Sequence, residues 1–162
     1  MIKPLEVPVI PNSPLINKNK KMNLGKILLR KNKSSKFIEN YLFDIKKIEY
    51  DDNYQNDQSN SLEFKNHMIK MLKVLKKNFS RNSKLIEVGC GKGEFLSIVK
   101  KEKYFKYQGY DAVYQGKDKN IFKRYLTEND RIQADILVLR HVLEHVQKPH
   151  IFLKRLKRIF GD

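Results

Sequence analysis

The sequence predicts an α/β fold: a Rossmann-like, mostly parallel sheet with flanking helices, preceded by an irregular N-terminal arm. Three observations carry this. Short apolar runs that read as buried strands, "KLIEV" (84–88), "YQGYD" (107–111) and "ADILVL" (134–139), alternate with helical patterns. The first runs straight into "GCGKGE", where three of the chain's seven glycines fall within five residues. The prolines collect at the other end: four of the five (Pro4, Pro8, Pro11, Pro14) lie in residues 1–20.

Taken in order, residues 1–58 form the expected arm. Residues 1–20 read as extended because proline restricts itself and the residue before it. Residues 21–58 mix short apolar runs ("KILL", "FIENYLF") with polar breaks and give no compact pattern, and "DDNYQNDQSN" (51–60) is a loop by composition. The domain proper is expected over 59–162. Its leading helix spans 60–79, with Asn60 and Glu63 as a capping box and Phe64, Met68, Met71, Leu72, Leu75 and Phe79 as one apolar stripe. "SRNS" ends it, strand 84–88 follows, and after the glycines Phe95, Leu96, Ile98 and Val99 predict a helix to about Lys103. Strand 107–111 ends in an acid. "IFKRYL" (121–126) is a strand or a short helix, since periodicity does not decide, and 134–139 is the clearest strand. Pro149 opens a last helix carrying Phe152, Leu153, Leu156 and Ile159, and Gly161 stops it. In a sheet of this kind ligands lie at the carboxyl ends of the strands, where the glycines, Asp111 and His141 fall.

Composition narrows the classes. At 162 residues, 40% hydrophobic and 10% aromatic, the chain can build a core. It holds no apolar run long enough to span a membrane, and "MIKPLEVPVIPNSPL" lacks a signal-peptide pattern. The single cysteine, Cys90, excludes an internal disulfide framework and a cysteine-cluster zinc site, so no metal is expected and the setting reads as cytoplasmic. The net charge of +16 allows nucleic acid as a partner without favouring it. The lysines are spread along the chain among many asparagines and isoleucines, a pattern that an AT-rich genome also produces, and no arginine-rich tract stands out.

The glycines do not fit a dinucleotide turn. The third glycine of G-x-G-x-x-G would fall at Glu94, whose carboxylate would repel a pyrophosphate at the helix N-terminus. No Gly-Lys-Ser/Thr follows at P-loop spacing either. An acid followed by alternating glycines (Glu87, Gly89, Gly91, Gly93) resembles the first motif of class I S-adenosylmethionine-dependent methyltransferases. The resemblance implies S-adenosyl-L-methionine as cofactor. Gly89, Gly91 and Gly93 would let the backbone approach it, and Glu87 would hold its ammonium end. Asp111, twenty residues after Gly91, would accept the ribose hydroxyls. Cys90 would be a small loop residue beside the cofactor, with no base to activate it, and Ala112 would flank the ribose or adenine together with Tyr110.

Residues 54–162, with "GYDAVYQGKDKNIFKRYLT" and "ADILVLRHVLEHVQKPHIFLKRL", look like the methyltransferase domain of the sugar C-methyltransferases and their relatives in surface-polysaccharide biosynthesis. This implies a small acceptor, a nucleotide-linked sugar or saccharide; an RNA methyltransferase and a non-catalytic cofactor-binding module are the alternatives. Several such relatives carry an N-terminal cysteine cluster for zinc, which this chain lacks. His141, Glu144 and His145 would stand where the acceptor meets the methyl. His145 is expected as general base, oriented by Glu144 if the segment is a turn, with His141 positioning cofactor or acceptor; His141 and Glu144, three apart, could also face each other across one helical turn. A purely structural role for "LEH" is the competing reading. The resembled fold continues into further strands, so "ADILVL" is expected as an open sheet edge. That implies a C-terminal truncation, a partner chain or self-association.

Overall fold

The computed structural model describes residues 3–8, 24–47 and 61–161. It divides into two units, Met1–Asn56 and Asp57–Asp162.

The first unit, expected to be irregular, holds two short antiparallel pairs. Strand β1 (Leu5–Pro8) pairs with β2 (Leu24–Ile27), and β3 (Leu29–Lys31) with β4 (Ile38–Asn40). Side chains rather than an apolar pattern stitch the second pair. The Asn40 amide accepts from the Leu28 N–H at 2.8 Å and donates to the Lys26 carbonyl at 3.0 Å, while Asn32 donates to Glu39 at 3.0 Å. The expected loop at 51–60, with Asn60, lies outside the described residues, as do Pro11 and Pro14.

The second unit is the predicted α/β fold. Helix α1 (Leu62–Asn78) starts at Ser61, whose hydroxyl accepts from the Phe64 N–H at 3.3 Å and donates to Glu63 at 3.0 Å. The capping oxygen is thus one residue later than expected, because serine at the N-cap satisfies an orphan backbone donor. Strand β5 (Lys84–Val88), helix α2 (Glu94–Glu102), strand β6 (Lys106–Tyr110), the two-residue strand β7 (Ile121–Phe122), strand β8 (Ile136–Leu139) and helix α3 (Pro149–Phe160) follow. The four strands form one parallel sheet in the order β7-β6-β5-β8.

Side-chain alternation along β5 builds a core on each face of this sheet. Leu85 packs with Met68 and Leu72 of α1, Phe95, Leu96 and Val99 of α2, and Ile136 and Val138 of β8. Ile86 and Val88 pack with Tyr110 and Leu156 of α3. Tyr110 is a core residue on the α3 face, stacked on Phe122 at 5.1 Å. "IFKRYL" yields only two strand residues, since Arg124 turns to a bidentate ion pair with Asp130 at 2.8 and 3.0 Å. The register sets Val88 opposite both Tyr110 and Leu139. Gly89, Asp111 and Arg140 consequently leave the sheet side by side at the carboxyl end of its three longest strands.

Candidate functional site

The turn from β5 into α2 is built by its glycines, and they differ in what surrounds them. All three have left-handed backbone: φ is +72° at Gly89, +56° at Gly91 and +81° at Gly93. A Cβ at Gly89 would come within 2.5 Å of Val142 Cγ2, so this position is reserved for glycine by the protein's own packing. At Gly91 no described atom lies within 4 Å of where a Cβ would stand. Gly91 is thus the glycine that leaves room for something outside the chain. The loop is tied down by the Gly89 N–H donating to the Tyr110 carbonyl at 2.8 Å and the Gly93 N–H donating to the Cys90 carbonyl at 2.9 Å.

Asp111 reaches this loop from the end of β6. Its Oδ2 accepts from the Gly91 N–H at 2.8 Å and its Oδ1 from the Val113 N–H at 2.9 Å. Each carboxylate oxygen has a second lone pair, so the group keeps acceptor capacity while its position is fixed. Ala112, next to it, is half-buried.

Glu87 is the buried acid of the site, 2% exposed in a strand whose Leu85, Ile86 and Val88 are buried with it. Its Oε1 faces Arg140 Nη1 at 3.6 Å, and its Oε2 has no hydrogen-bond partner among the described residues. Burial pushes its carboxyl up to about 8; the Arg140 guanidinium pulls the other way, and the neighbouring Glu94 and Asp111 add to the rise. Burial also pushes the Cys90 thiol up to about 12, reinforced by Glu87 and Asp111. A thiol so protonated is no nucleophile, and Cys90 is a buried member of the α1–α2 core.

Arg140 was not foreseen from the sequence. Its guanidinium lies between two rings, 5.3 Å from Phe64 and 5.0 Å from Phe95, and its side chain is 11% exposed. A signal for it existed: an acid inside a buried strand needs a cation, and Arg140 is the first residue after the neighbouring strand.

After Arg140 the chain enters a 3-10 turn, Leu143–His145. His141 has left-handed backbone (φ +51°), uncommon for a non-glycine residue. Its Nδ1 lies 3.3 Å from Glu144 Oε1, and its ring lies 5.8 Å from that of Phe64. The segment is the expected turn, yet the Glu144 carboxylate faces His141; the His145 N–H donates to the Val142 carbonyl at 3.0 Å. Both His141 and Glu144 are about half exposed.

Glu87, the glycine loop and Asp111 are thus brought together at one end of the sheet, with His141 and Glu144 in the segment that follows the neighbouring strand β8. Among the described residues no group of three or more His, Cys, Asp or Glu is placed to hold a metal ion, and no helix is long and apolar enough to cross a membrane. No curated protein matches the chain in sequence. A family model described as a methyltransferase domain matches residues 62–162, from the first residue of α1 onward. With a parallel β7-β6-β5-β8 sheet and an acid–glycine turn after β5, the chain belongs to this methyltransferase domain family, as a class I methyltransferase.

Proposed function

We propose that residues 59–162 bind S-adenosyl-L-methionine over the carboxyl ends of β5 and β6 and transfer its methyl to a small acceptor, a nucleotide-linked sugar or saccharide. The observation that carries the cofactor reading is the sign of charge at the loop. In a chain of net charge +16, Glu94 and Asp111 lie near enough to Glu87, beside the glycines, to push its carboxyl up. Such a site suits a ligand with an ammonium and a sulfonium and opposes a pyrophosphate. Glu87 Oε2, without a hydrogen-bond partner among the described residues, and the open space at Gly91 fit the same ligand.

When bound, the cofactor supplies an electrophilic methyl on a positively charged sulfur. The chain's own residues do the rest. Gly91 permits close backbone approach, and Glu87 accepts from the ammonium end through Oε2. Asp111, already locked by Gly91 and Val113, accepts the ribose hydroxyls, and Cys90 and Ala112 shape the floor. On the acceptor side, His141 takes the proton from a hydroxyl or from a carbon beside a carbonyl, with Glu144 setting its tautomer and steadying the charged imidazole. His145 has the weaker claim to this role, because Glu144 turns toward His141. The saccharide acceptor rests on the resemblance of "RHVLEH" and its surroundings to sugar methyltransferases. A single cysteine and a nucleotide-linked acceptor both suit a cytoplasmic setting.

The test is transfer of isotopically labelled methyl from the cofactor to a panel of nucleotide-linked sugars, free saccharides and RNA. Label in the sugar fraction is expected. Label in RNA alone would overturn the acceptor, and bound cofactor with no transfer to any acceptor would reduce the chain to a binding module.

A further inference from the structure

We propose that Arg140 is a positioning residue for the ammonium end of the cofactor: clamped between Phe64 and Phe95, it shares the Glu87 carboxyl and lets that group carry its charge when a cationic amino group arrives. The inference rests on the cofactor reading above and adds a residue that neither the motif nor the fold assigns.

The geometry is specific. The guanidinium is held on two sides by rings from different helices, Phe64 of α1 and Phe95 of α2, at 5.3 and 5.0 Å. It approaches one carboxylate oxygen, Glu87 Oε1, at 3.6 Å, which is longer than a hydrogen bond. Each partner keeps a polar atom without a hydrogen bond among the described residues, Oε2 on Glu87 and Nε on Arg140. A buried pair evolved only for stability would close both atoms, since leaving them open is costly. Here one oxygen is balanced by a fixed cation and the other is left for a second one.

The surroundings explain why a fixed cation is needed. The groups facing Glu87 are Glu94 at the start of α2, Asp111 after β6 and Cys90 in the loop, none of which favours another negative charge. From β8 comes Arg140, followed by His141; from α1 comes the uncharged Phe64. Burial and two acids push the carboxyl toward its neutral form, and Arg140 alone pulls back. Without Arg140 the ligand ammonium would meet a neutral acid, a much weaker acceptor.

The test compares two ligands on the whole chain by titration calorimetry between pH 6 and 9: the demethylated cofactor, which has the amino-acid tail, and 5′-methylthioadenosine, which lacks it. Arg140→Met keeps bulk between the rings and removes the charge; Arg140→Lys keeps the charge. For Arg140→Met the account predicts a loss of about ten-fold or more for the tailed ligand at neutral pH, shrinking as pH rises. Methylthioadenosine should change less than about two-fold, and Arg140→Lys should regain much of the loss. Equal losses for both ligands would make Arg140 a packing residue, and no loss for either would remove it from the site. Wild-type protein that binds neither ligand would overturn the cofactor reading itself, and this inference with it.

Discussion

Around the glycine loop and around the 3-10 turn the chain holds its functional side chains in opposite ways. Glu87 and Cys90 are 2% and 6% exposed, Gly89 is hemmed in by Val142, and Asp111 is pinned by two backbone N–H groups. His141 and Glu144, after β8 at the same sheet end, have side chains 51% and 52% exposed and hold each other at 3.3 Å. The first region is set by packing before any ligand arrives, which suits the cofactor site proposed for it. The second leaves its side chains at the surface, which suits the acceptor side in the same proposal. The two meet at Val142 and Phe64: Val142 touches the Gly89 position, and Phe64 touches both Arg140 and His141.

The largest effect should come from the exposed side. His141→Asn is expected to lower kcat by about 10²–10⁴ while cofactor affinity stays nearly unchanged. His145→Asn should cost about ten-fold or less. Steady-state kinetics with an accepted acceptor decides, and the reverse ranking would return the base to His145.

Next come the glycines, where the comparison can be broken within one loop. Gly89→Ala should cost about 2–4 kcal/mol of stability, from left-handed strain and the clash with Val142. Gly91→Ala should cost only about 1–2 kcal/mol, from backbone strain alone, yet weaken cofactor binding more than its stability loss suggests. Denaturant melts and binding titrations on both variants separate the two roles; similar profiles would mean that Gly91 faces no ligand.

Asp111→Ala should weaken cofactor binding by about 1.5–3 kcal/mol, the scale of lost charge-assisted hydrogen bonds. Calorimetry showing unchanged affinity would leave Asp111 a tether for Gly91 and nothing more.

The last prediction, which leaves the ligand out, is a pH dependence of stability. The Glu87 carboxyl sits near 8 in the folded protein against an ordinary value of 4.5. The folded state therefore binds the proton more tightly than the unfolded state. Its contribution is complete below about 4.5 and is lost as pH rises through about 8. Thermal stability of the wild type should decline across that window, and Glu87→Gln should remove part of the decline. An unchanged slope would show that Arg140 keeps Glu87 ionised throughout.

What could be read in the sequence follows the same division. "KLIEV", "ADILVL" and the helix after the glycines are consecutive or periodic apolar runs, and burial on both faces of a parallel sheet demands such runs. Strand β5 accordingly spans the expected residues 84–88, and β8 falls within 134–139. Residues 24–47 carried no such pattern because β3 and β4 are three residues each and are stitched by the Asn32 and Asn40 side chains, for which hydrophobic periodicity has no signal. The turn "LEH" was legible as a turn, and the i, i+3 spacing allowed a His141–Glu144 pair, but the choice between the two imidazoles was not legible. That choice depends on the left-handed backbone at His141, a non-glycine residue where sequence gives little warning. Arg140 was missed because strand-end arginines are commonplace. Only the burial of Glu87 makes this one necessary.

The central claim is that an acid-lined glycine loop selects a cationic adenosyl cofactor. Calorimetric titration of the whole chain with the demethylated cofactor and, separately, with NAD tests it most directly. The account predicts saturable 1:1 binding of the first and none of the second, since a pyrophosphate would have to sit among Glu87, Glu94 and Asp111. Tighter binding of NAD would contradict it.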